Sequence, residues 1–339
     1  MRAGLPHGAR DWLQSEHANG WLTSARIDTP HNHGTGCSFA TAVAAGMALG
    51  FACADAVVLA KMATSHALAH GHAAGEGAGP VQARRGFAID PQRLPMLSWS
   101  EASTLPLRRG ADAAALRPLG LYAIVDSAER VQQLIDAGVR TIQLRIKQPE
   151  EAVATWHAHL SDSLRQSIAA CRVAGAELFI NDHWRVALEL GAHGIHLGQE
   201  DIAALSDDER AHLVDCGVSL GVSSHSLWEL CRAASLNPRY IACGPVWPTL
   251  TKAMPWIAQG LHNLSWWCDM SPAPVVAIGG IVDAARVREA AQCGADGVCI
   301  VRGIGADAAS SVPALEAARI EGKKMPRMAR HLNLPRPSL

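Results

Sequence analysis

The chain has 339 residues and a formal net charge of -1, with 49% hydrophobic and 18% charged residues. That balance gives no global field for nucleic acid or an anionic membrane, so any anion binding must come from local groups. The length exceeds a usual single compact domain, and the nine cysteines form no CxxC pair, which points to reduced thiols and a cytoplasmic setting.

Met1 is followed by a mixed polar start, unlike the basic region and apolar core of a signal peptide. The segment DWLQSEHANGWLTSARIDT, from Asp11, predicts two short strands around an Asn19-Gly20 turn. HNHGTGCSFATAVAAGMALG then reads as a loop of small residues opening a helix, and ADAVVLAKMATSHALAHGH as a second helix. Residues 37–54 carry no charge and approach the length of a membrane span. Their Ala- and Gly-rich composition predicts a buried helix of a water-soluble protein instead. Residues 71–118 are rich in Gly, Pro, Arg and Ala without periodicity, the composition of a linker.

From Leu121 the character changes. Short apolar runs alternate with helix-length stretches: LYAIVD, TIQLRIK, LFIND, GIHLG, SLGVSSH, YIACGPV, VVAIGGI and GVCIVRG. Eight strand–helix units in about two hundred residues have the rhythm of a (β/α)8 TIM barrel. No GxGxxG follows the first strand, which disfavours a doubly wound open sheet. The expected organisation is an N-terminal α/β segment at 1–95, a linker at 96–118, the barrel at 119–320 and a tail at 321–339.

In such a barrel, polar groups at the C-terminal strand ends face the ligand. Strand 2 alternates Ile142, Leu144 and Ile146 with Gln143, Arg145 and Lys147, which predicts one polar face. Strand 3 ends in Asn181-Asp182, strand 4 runs into Gln199, Glu200 and Asp201, and strand 5 ends in Ser223 and Ser224. The loop after strand 6 holds Thr249, Thr251 and Lys252; strand 7 ends in Gly279-Gly280 and strand 8 in Val301-Arg302-Gly303. Asp182 and Asp201, from adjacent strand ends, suit Mg²⁺, which takes few protein oxygens and keeps water and phosphate. Glycine at 279–280 lets backbone N–H groups approach a phosphate. Arg145, Lys147 and Lys252 add positive charge, so two phosphorylated ligands, one a diphosphate, fit the set.

With QLRIK, FINDHWRVALELGAHGIHLGQED, LGVSSHS, GPVWPTLTK and VVAIGGI in order, residues 119–305 resemble the thiamine-phosphate synthase family. The resemblance implies condensation of 4-amino-2-methyl-5-hydroxymethylpyrimidine diphosphate with 4-methyl-5-(2-phosphoethyl)thiazole, releasing diphosphate. It implies that Gln143, Leu144, Arg145, Ile146, Lys147, Asn181, Ser223 and Lys252 hold the pyrimidine diphosphate, with Lys147, Arg145 and Lys252 assisting its departure. It places Mg²⁺ on Asp182 and Asp201, and the thiazole phosphate on Thr249, Leu250, Thr251, Gly280, Val301 and Arg302. The partners are then small-molecule substrates, with no nucleic acid or membrane and a homo-oligomer left open. A thiazole tautomerase-like enzyme or a catalytically silent sensor of thiamine intermediates is the alternative; the first would not need the full diphosphate set, and intact candidate ligands at every strand end argue against the second. The family often has a small hydroxyl residue where Arg302 stands.

HNHGTGCSFATAVAAG resembles the C-terminal anion-hole motif of ribokinase-like hydroxymethylpyrimidine phosphate kinases, with Gly34, Thr35, Gly36 and Cys37 at a helix start. Only the last third of such a kinase is matched, so a partial ribokinase-like segment, a fusion remnant without kinase activity, is expected. Plainer readings stand beside these. Asp182 and Asp201 each precede a helix and suit N-caps. His66 and His70 share a helix face without an acidic partner at ligand spacing. Cys37 suits a small buried side chain, and Trp266-Trp267 suit helix packing.

Overall fold

The computed structural model describes residues 8–101, 117–151, 153–249, 255–328 and 334–339. Two strands open it, β1 (Ala9–Gln14) and β2 (Asn19–Ser24), followed by helices α1 (Thr35–Ala48) and α2 (Cys53–Ala69) and a two-residue strand β3 (Met96–Leu97). These strands form a small sheet in the order β1-β2-β3, antiparallel throughout. The hairpin turn differs from the expected one. Ser15 N–H donates to the Ala18 carbonyl at 3.0 Å, while Asn19 and Gly20 lie inside β2. Gly20 is needed there for close approach, since a Cβ would sit 2.5 Å from the Ser98 carbonyl. β3 draws residues read as linker into this sheet, and residues 102–116 fall outside the described ones.

The uncharged segment at 37–54 is not one buried helix. α1 stops at Ala48 and α2 begins at Cys53, and Gly46 is the single buried residue of α1. That glycine lets the helices touch, for a Cβ at Gly46 would lie 2.9 Å from Ala56 Cβ. Among the described residues, no helix is long and apolar enough to cross a membrane.

The remaining elements alternate: β4 (Gly120–Val125), α3 (Ala128–Asp136), β5 (Thr141–Leu144), α4 (Ala154–Ala174), β6 (Glu177–Asn181), α5 (Trp184–Glu189) and β7 (Gly194–Leu197). Then come α6 (Gln199–Ala203), α7 (Asp207–Asp215), β8 (Ser219–Ser224), α8 (Leu227–Ala234) and β9 (Tyr240–Cys243). The series ends with α9 (Gly260–Met270), β10 (Val275–Ala277), α10 (Ala284–Gln292), β11 (Gly297–Ile300) and α11 (Ala308–Lys324). The strands close as a parallel barrel in the order β10-β11-β4-β5-β6-β7-β8-β9, so all eight expected strands are present and the fold is a (β/α)8 barrel. Helix α11 runs through the expected tail boundary at 321.

Strand alternation explains the two cores. Ile142 and Leu144 of β5 face the helices and join the large outer core, whereas Gln143 points inward. The barrel interior is packed by Tyr122, Phe179, Tyr240, Val276 and Cys299, all nearly inaccessible. Polar tips inside this layer are satisfied as burial demands. Tyr122 and Tyr240 hydroxyls lie 2.6 Å apart, Gln143 Nε2 donates to Tyr122 at 3.1 Å, and Tyr240 reaches His196 Nδ1 at 2.7 Å.

The N-terminal unit is packed onto the barrel. Trp266 Nε1 of α9 donates to the Ala88 carbonyl at 2.7 Å, Trp99 Nε1 to the Arg232 carbonyl at 3.1 Å, and Arg232 Nη2 to the Asn19 carbonyl at 2.8 Å. Trp266 and Trp267 are both buried, in keeping with a packing role.

Candidate active site

A cavity of 440 Å³ opens at the C-terminal end of the barrel strands. Its wall takes residues from six of the strand ends singled out in the sequence: Gln143 and Arg145, Asn181 and Asp182, Gln199 to Asp201, Ser223 and Ser224, Gly279 and Gly280, and Val301 and Arg302. Thr249 also lines it. Leu250, Thr251 and Lys252 lie outside the described residues.

Strand β5 stops at Leu144, three residues earlier than its alternation suggests. The Arg145 N–H still bonds the Val125 carbonyl at 2.7 Å, and Arg145 stays at the cavity wall. Beyond it the chain leaves the ladder: the Ile146 carbonyl meets His183 Nε2 at 2.8 Å, and Lys147 is exposed and outside the cavity lining. Leu144 is buried toward the helices and Ile146 packs on the same core, so neither side chain lines the cavity. The polar face of this strand is therefore shorter than expected.

At the end of β6, Asp182 holds a left-handed backbone, with φ 63. Such a conformation is uncommon outside glycine and concentrates at functional positions. The Asp182 N–H donates to the His196 carbonyl at 3.2 Å, tying the β6 end to β7. Its carboxyl is held above the usual range by burial first, then by the nearby charge of Asp201, with Arg145 opposing. The N-cap position of α5 is His183, not Asp182, and it makes no side-chain cap bond. Asp201 does act at a helix start, where its Oδ2 accepts from Gly198 N–H at 2.9 Å, leaving Oδ1 for other partners. Two carboxylates, one just past β6 and one in α6 after the paired strand β7, thus share one wall.

Ser223 at the end of β8 is tied to the interior. Its Oγ lies 2.9 Å from His196 Nε2. Burial, then the Arg145 charge, lowers the His196 pKa to about 3, so this imidazole is neutral at physiological pH. Gln199 Nε2 donates to the Ser223 carbonyl at 2.9 Å and to Ser224 Oγ at 3.2 Å. Its Oε1 is buried without a partner among the described residues.

Gly279 and Gly280 have φ of 92 and 70, and added Cβ atoms would lie 2.6 Å from Pro245 Cα and from Trp247 Cβ. Glycine is required twice over, by backbone sign and by close packing. Val301 and Arg302 lead into a short 3-10 turn, both exposed at the mouth.

Sequence reasoning missed His225, Glu229 and Trp256 as parts of this cavity wall. His225 and Trp256 stack with ring centroids 5.4 Å apart and planes 8° apart. His225 stood inside LGVSSHS without a role, and Trp256 sits in a stretch of sequence with no local pattern, so only the fold pairs them. In the N-terminal unit, His66 and His70 rings are 4.4 Å apart, yet no group of three metal-ligating side chains exists among the described residues. Cys37 is exposed rather than buried, since α1 covers little of itself against α2.

A closed parallel barrel with its polar groups gathered at the C-terminal strand ends defines the class: a (β/α)8 barrel enzyme with a small-molecule site at that end. Comparison with known proteins narrows it. The family model described as thiamine monophosphate synthase matches residues 121–304, and that described as phosphomethylpyrimidine kinase matches residues 3–82. A thiamine-phosphate synthase of Rhizobium etli is 43% identical over 184 residues, covering 54% of this chain and 85% of its own. One of Serratia proteamaculans is 45% identical over 189 residues, covering 55% and 84%. A solved thiamine phosphate pyrophosphorylase from Pyrococcus furiosus superposes with TM-score 0.52 at 27% identity, covering 60% of this chain and 97% of that one. The chain belongs to the thiamine monophosphate synthase family, and its activity is that of a thiamine-phosphate synthase, a transferase of thiamine biosynthesis.

Proposed function

We propose that the barrel-mouth cavity is where the two substrates meet, and that the residues lining it divide between them. The observation that carries this reading is convergence: five separated motifs deliver side chains to one cavity of 440 Å³. Gln143, Arg145, Asn181 and Ser223 hold the pyrimidine diphosphate, and Thr249, Gly280, Val301 and Arg302 the thiazole phosphate. Lys252, Leu250 and Thr251, outside the described residues, complete these sets. Lys147 serves from outside the lining as an approach charge.

The donor set fits Mg²⁺. Asp182 and Asp201 place carboxylate oxygens on one wall, and Asp201 spends only one oxygen on its own helix. Magnesium commonly takes one or two carboxylates and leaves the rest of its shell to water and phosphate. Bound there, it supplies charge neutralisation to the departing diphosphate.

The protein's own contribution is electrostatic and positional. Loss of diphosphate leaves a pyrimidine methyl cation, which the electron-rich aminopyrimidine stabilises until the thiazole nitrogen captures it. Arg145 donates charge-assisted hydrogen bonds to the leaving oxygens. Ser223, fixed by neutral His196, donates or accepts at the same end. Backbone N–H groups near Gly280 and Val301 align the thiazole phosphate, so the nucleophile is held at the reacting carbon. No general base is required.

The N-terminal unit, whose sheet extends to β3 at Met96–Leu97, acts in this reading as a fusion remnant that supports the barrel, and the barrel's last helix runs to Lys324. The cytoplasm is the compartment that free thiols and small phosphorylated substrates favour.

The test is thiamine phosphate formation from the two substrates with Mg²⁺, comparing wild type with Asp182→Ala. Product from wild type and a loss of about 10²-fold or more in the variant is the expected result. A folded Asp182→Ala that retains wild-type turnover would remove the metal site from this wall.

A further inference from the structure

Two stretches outside the family match at 121–304 brace the same part of the cavity wall from behind. The first is the N-terminal unit. Asp55 of α2 is only 2% exposed, and its Oδ1 accepts from the Trp228 N–H at 2.9 Å, with the Leu227 amide as a second donor. It thereby supplements Ser226, whose hydroxyl caps the same end of α8 from within the barrel. One turn on, the buried Glu229 accepts at Oε2 from the His225 N–H at 2.6 Å and meets His225 Nδ1 at 2.9 Å. A side chain of the N-terminal unit thus fixes the helix end that aims His225.

The second stretch is near the C-terminus. The Ile257 N–H donates to the Ser338 carbonyl at 2.9 Å, immediately after Trp256. Asn263 and Arg336 form a reciprocal pair, with Arg336 N–H donating to Asn263 Oδ1 at 2.7 Å and Asn263 Nδ2 to the Arg336 carbonyl at 3.0 Å. Asn263 Nδ2 also donates to Gln259 Oε1 at 2.9 Å, and Gln259 Nε2 donates to the His225 carbonyl at 2.5 Å. The two supports therefore converge on the stacked His225–Trp256 pair.

We propose that the His225–Trp256 pair is an aromatic wall that contacts a heteroaromatic ring of the substrates, and that Asp55 of the N-terminal unit and Asn263 of α9, which ties the C-terminal stretch to Gln259, are positioning residues that hold it. Both residues line the cavity beside its polar strand ends, and a stacked aromatic pair there suits a planar ring carrying a phosphate ester. Neither support touches the cavity itself, so each acts through the pair. The inference rests on the synthase reading of the cavity.

The experiment measures kcat and KM for each substrate separately, in the full chain, with circular dichroism as the fold control. Trp256→Ala raises the KM of at least one ring substrate about tenfold with kcat changed less than about threefold, and Trp256→Phe restores most of it. The substrate whose KM moves identifies the ring. Asp55→Ala and Asn263→Ala each raise the same KM about three- to tenfold, and Asp55→Asn, which keeps the acceptor oxygen, restores it. On a His225→Ala, Trp256→Ala background, either change adds less than about twofold. A folded Trp256→Ala with unaltered KM values overturns the wall, and full multiplication of the effects on that background overturns the positioning. Should Asp55→Ala fail to fold, Asn263→Ala carries the same comparison from the other side. Wild type without turnover would count against the synthase reading, whereas wild-type turnover with an indifferent Trp256→Ala counts against the wall alone.

Discussion

The barrel mouth and the N-terminal unit each carry glycines where a backbone could receive a phosphate, and the structure treats them differently. At the mouth, Gly279 and Gly280 are pressed against Pro245 and Trp247, and a cavity lies in front of them. At the start of α1, Gly34 has only Val81 within 4 Å of an added Cβ, at 3.9 Å, and Gly36 has nothing. The same class of motif is therefore enclosed in one place and open in the other. A motif supplies donors, but enclosure supplies the low dielectric and fixed geometry that make them useful.

The largest test of that contrast is Arg145→Ala. The side chain lines the enclosed site, beside the carboxylates and facing the leaving diphosphate in the proposed arrangement. Its loss should lower kcat about 10²-fold at saturating substrates with little change in melting temperature. Wild-type kcat in this variant would mean that enclosure alone does not select the working cations.

The glycines give the paired comparison. Gly280→Ala forces a left-handed residue into contact with Trp247, and should cost about 2–3 kcal/mol of stability while raising the KM for the thiazole phosphate. Gly34→Ala has the same backbone problem, φ 85, without the crowding, and should cost about 1 kcal/mol or less and leave synthase kinetics alone. Urea unfolding and steady-state assays of the two variants read both differences. Equal costs would show that the crowding at the mouth is relieved by movement.

Much of the barrel was legible because its strands alternate with helices at regular spacing and its polar residues gather at strand ends, both of which are local patterns. Asp182, Asp201 and Gly280 come to one cavity wall for that reason. What was hidden depends on distant partners. The reach of β5 could not be read from Gln143, Arg145 and Lys147, because the strand ends where His183 takes the Ile146 carbonyl. The hairpin turn was misplaced because Gly20 answers to Ser98 and not to its own neighbours. His225 and Trp256 stayed silent because the supports that place them come from residues 55 and 334–338.

The seam between the two regions predicts a pH-dependent effect. Burial raises Asp55 to a pKa of about 7, with the Glu229 charge adding to it and the Trp228 and Leu227 amides opposing. A carboxyl whose folded pKa is raised favours the folded state while protonated. Its stabilising contribution is full below about pH 4 and is lost as pH rises toward and through 7. Asp55→Asn keeps an acceptor and cannot ionise. The stability difference between variant and wild type should therefore grow in favour of the variant between pH 4 and 7, by at most about 1.4 kcal/mol per pH unit. Denaturant midpoints across that range measure it, and a difference that is flat with pH would place the titration elsewhere.

The smallest effect is expected at Lys147, and it sharpens the contrast inside the barrel itself. Lys147 is two residues beyond Arg145 and shares its sign, so a sequence pattern treats them alike. The structure does not, because Arg145 lines the cavity and Lys147 stands in solvent. An exposed charge acts over a distance set by salt, with a screening length of about 8 Å at physiological ionic strength. Lys147→Ala should therefore lower kcat/KM for the pyrimidine diphosphate by less than about threefold at low salt, and by less still at high salt, with kcat unchanged. A large, salt-independent loss of kcat would instead mean that the segment after β5 folds inward over bound substrate. Lys147 would then belong with Arg145 among the groups that meet the leaving diphosphate.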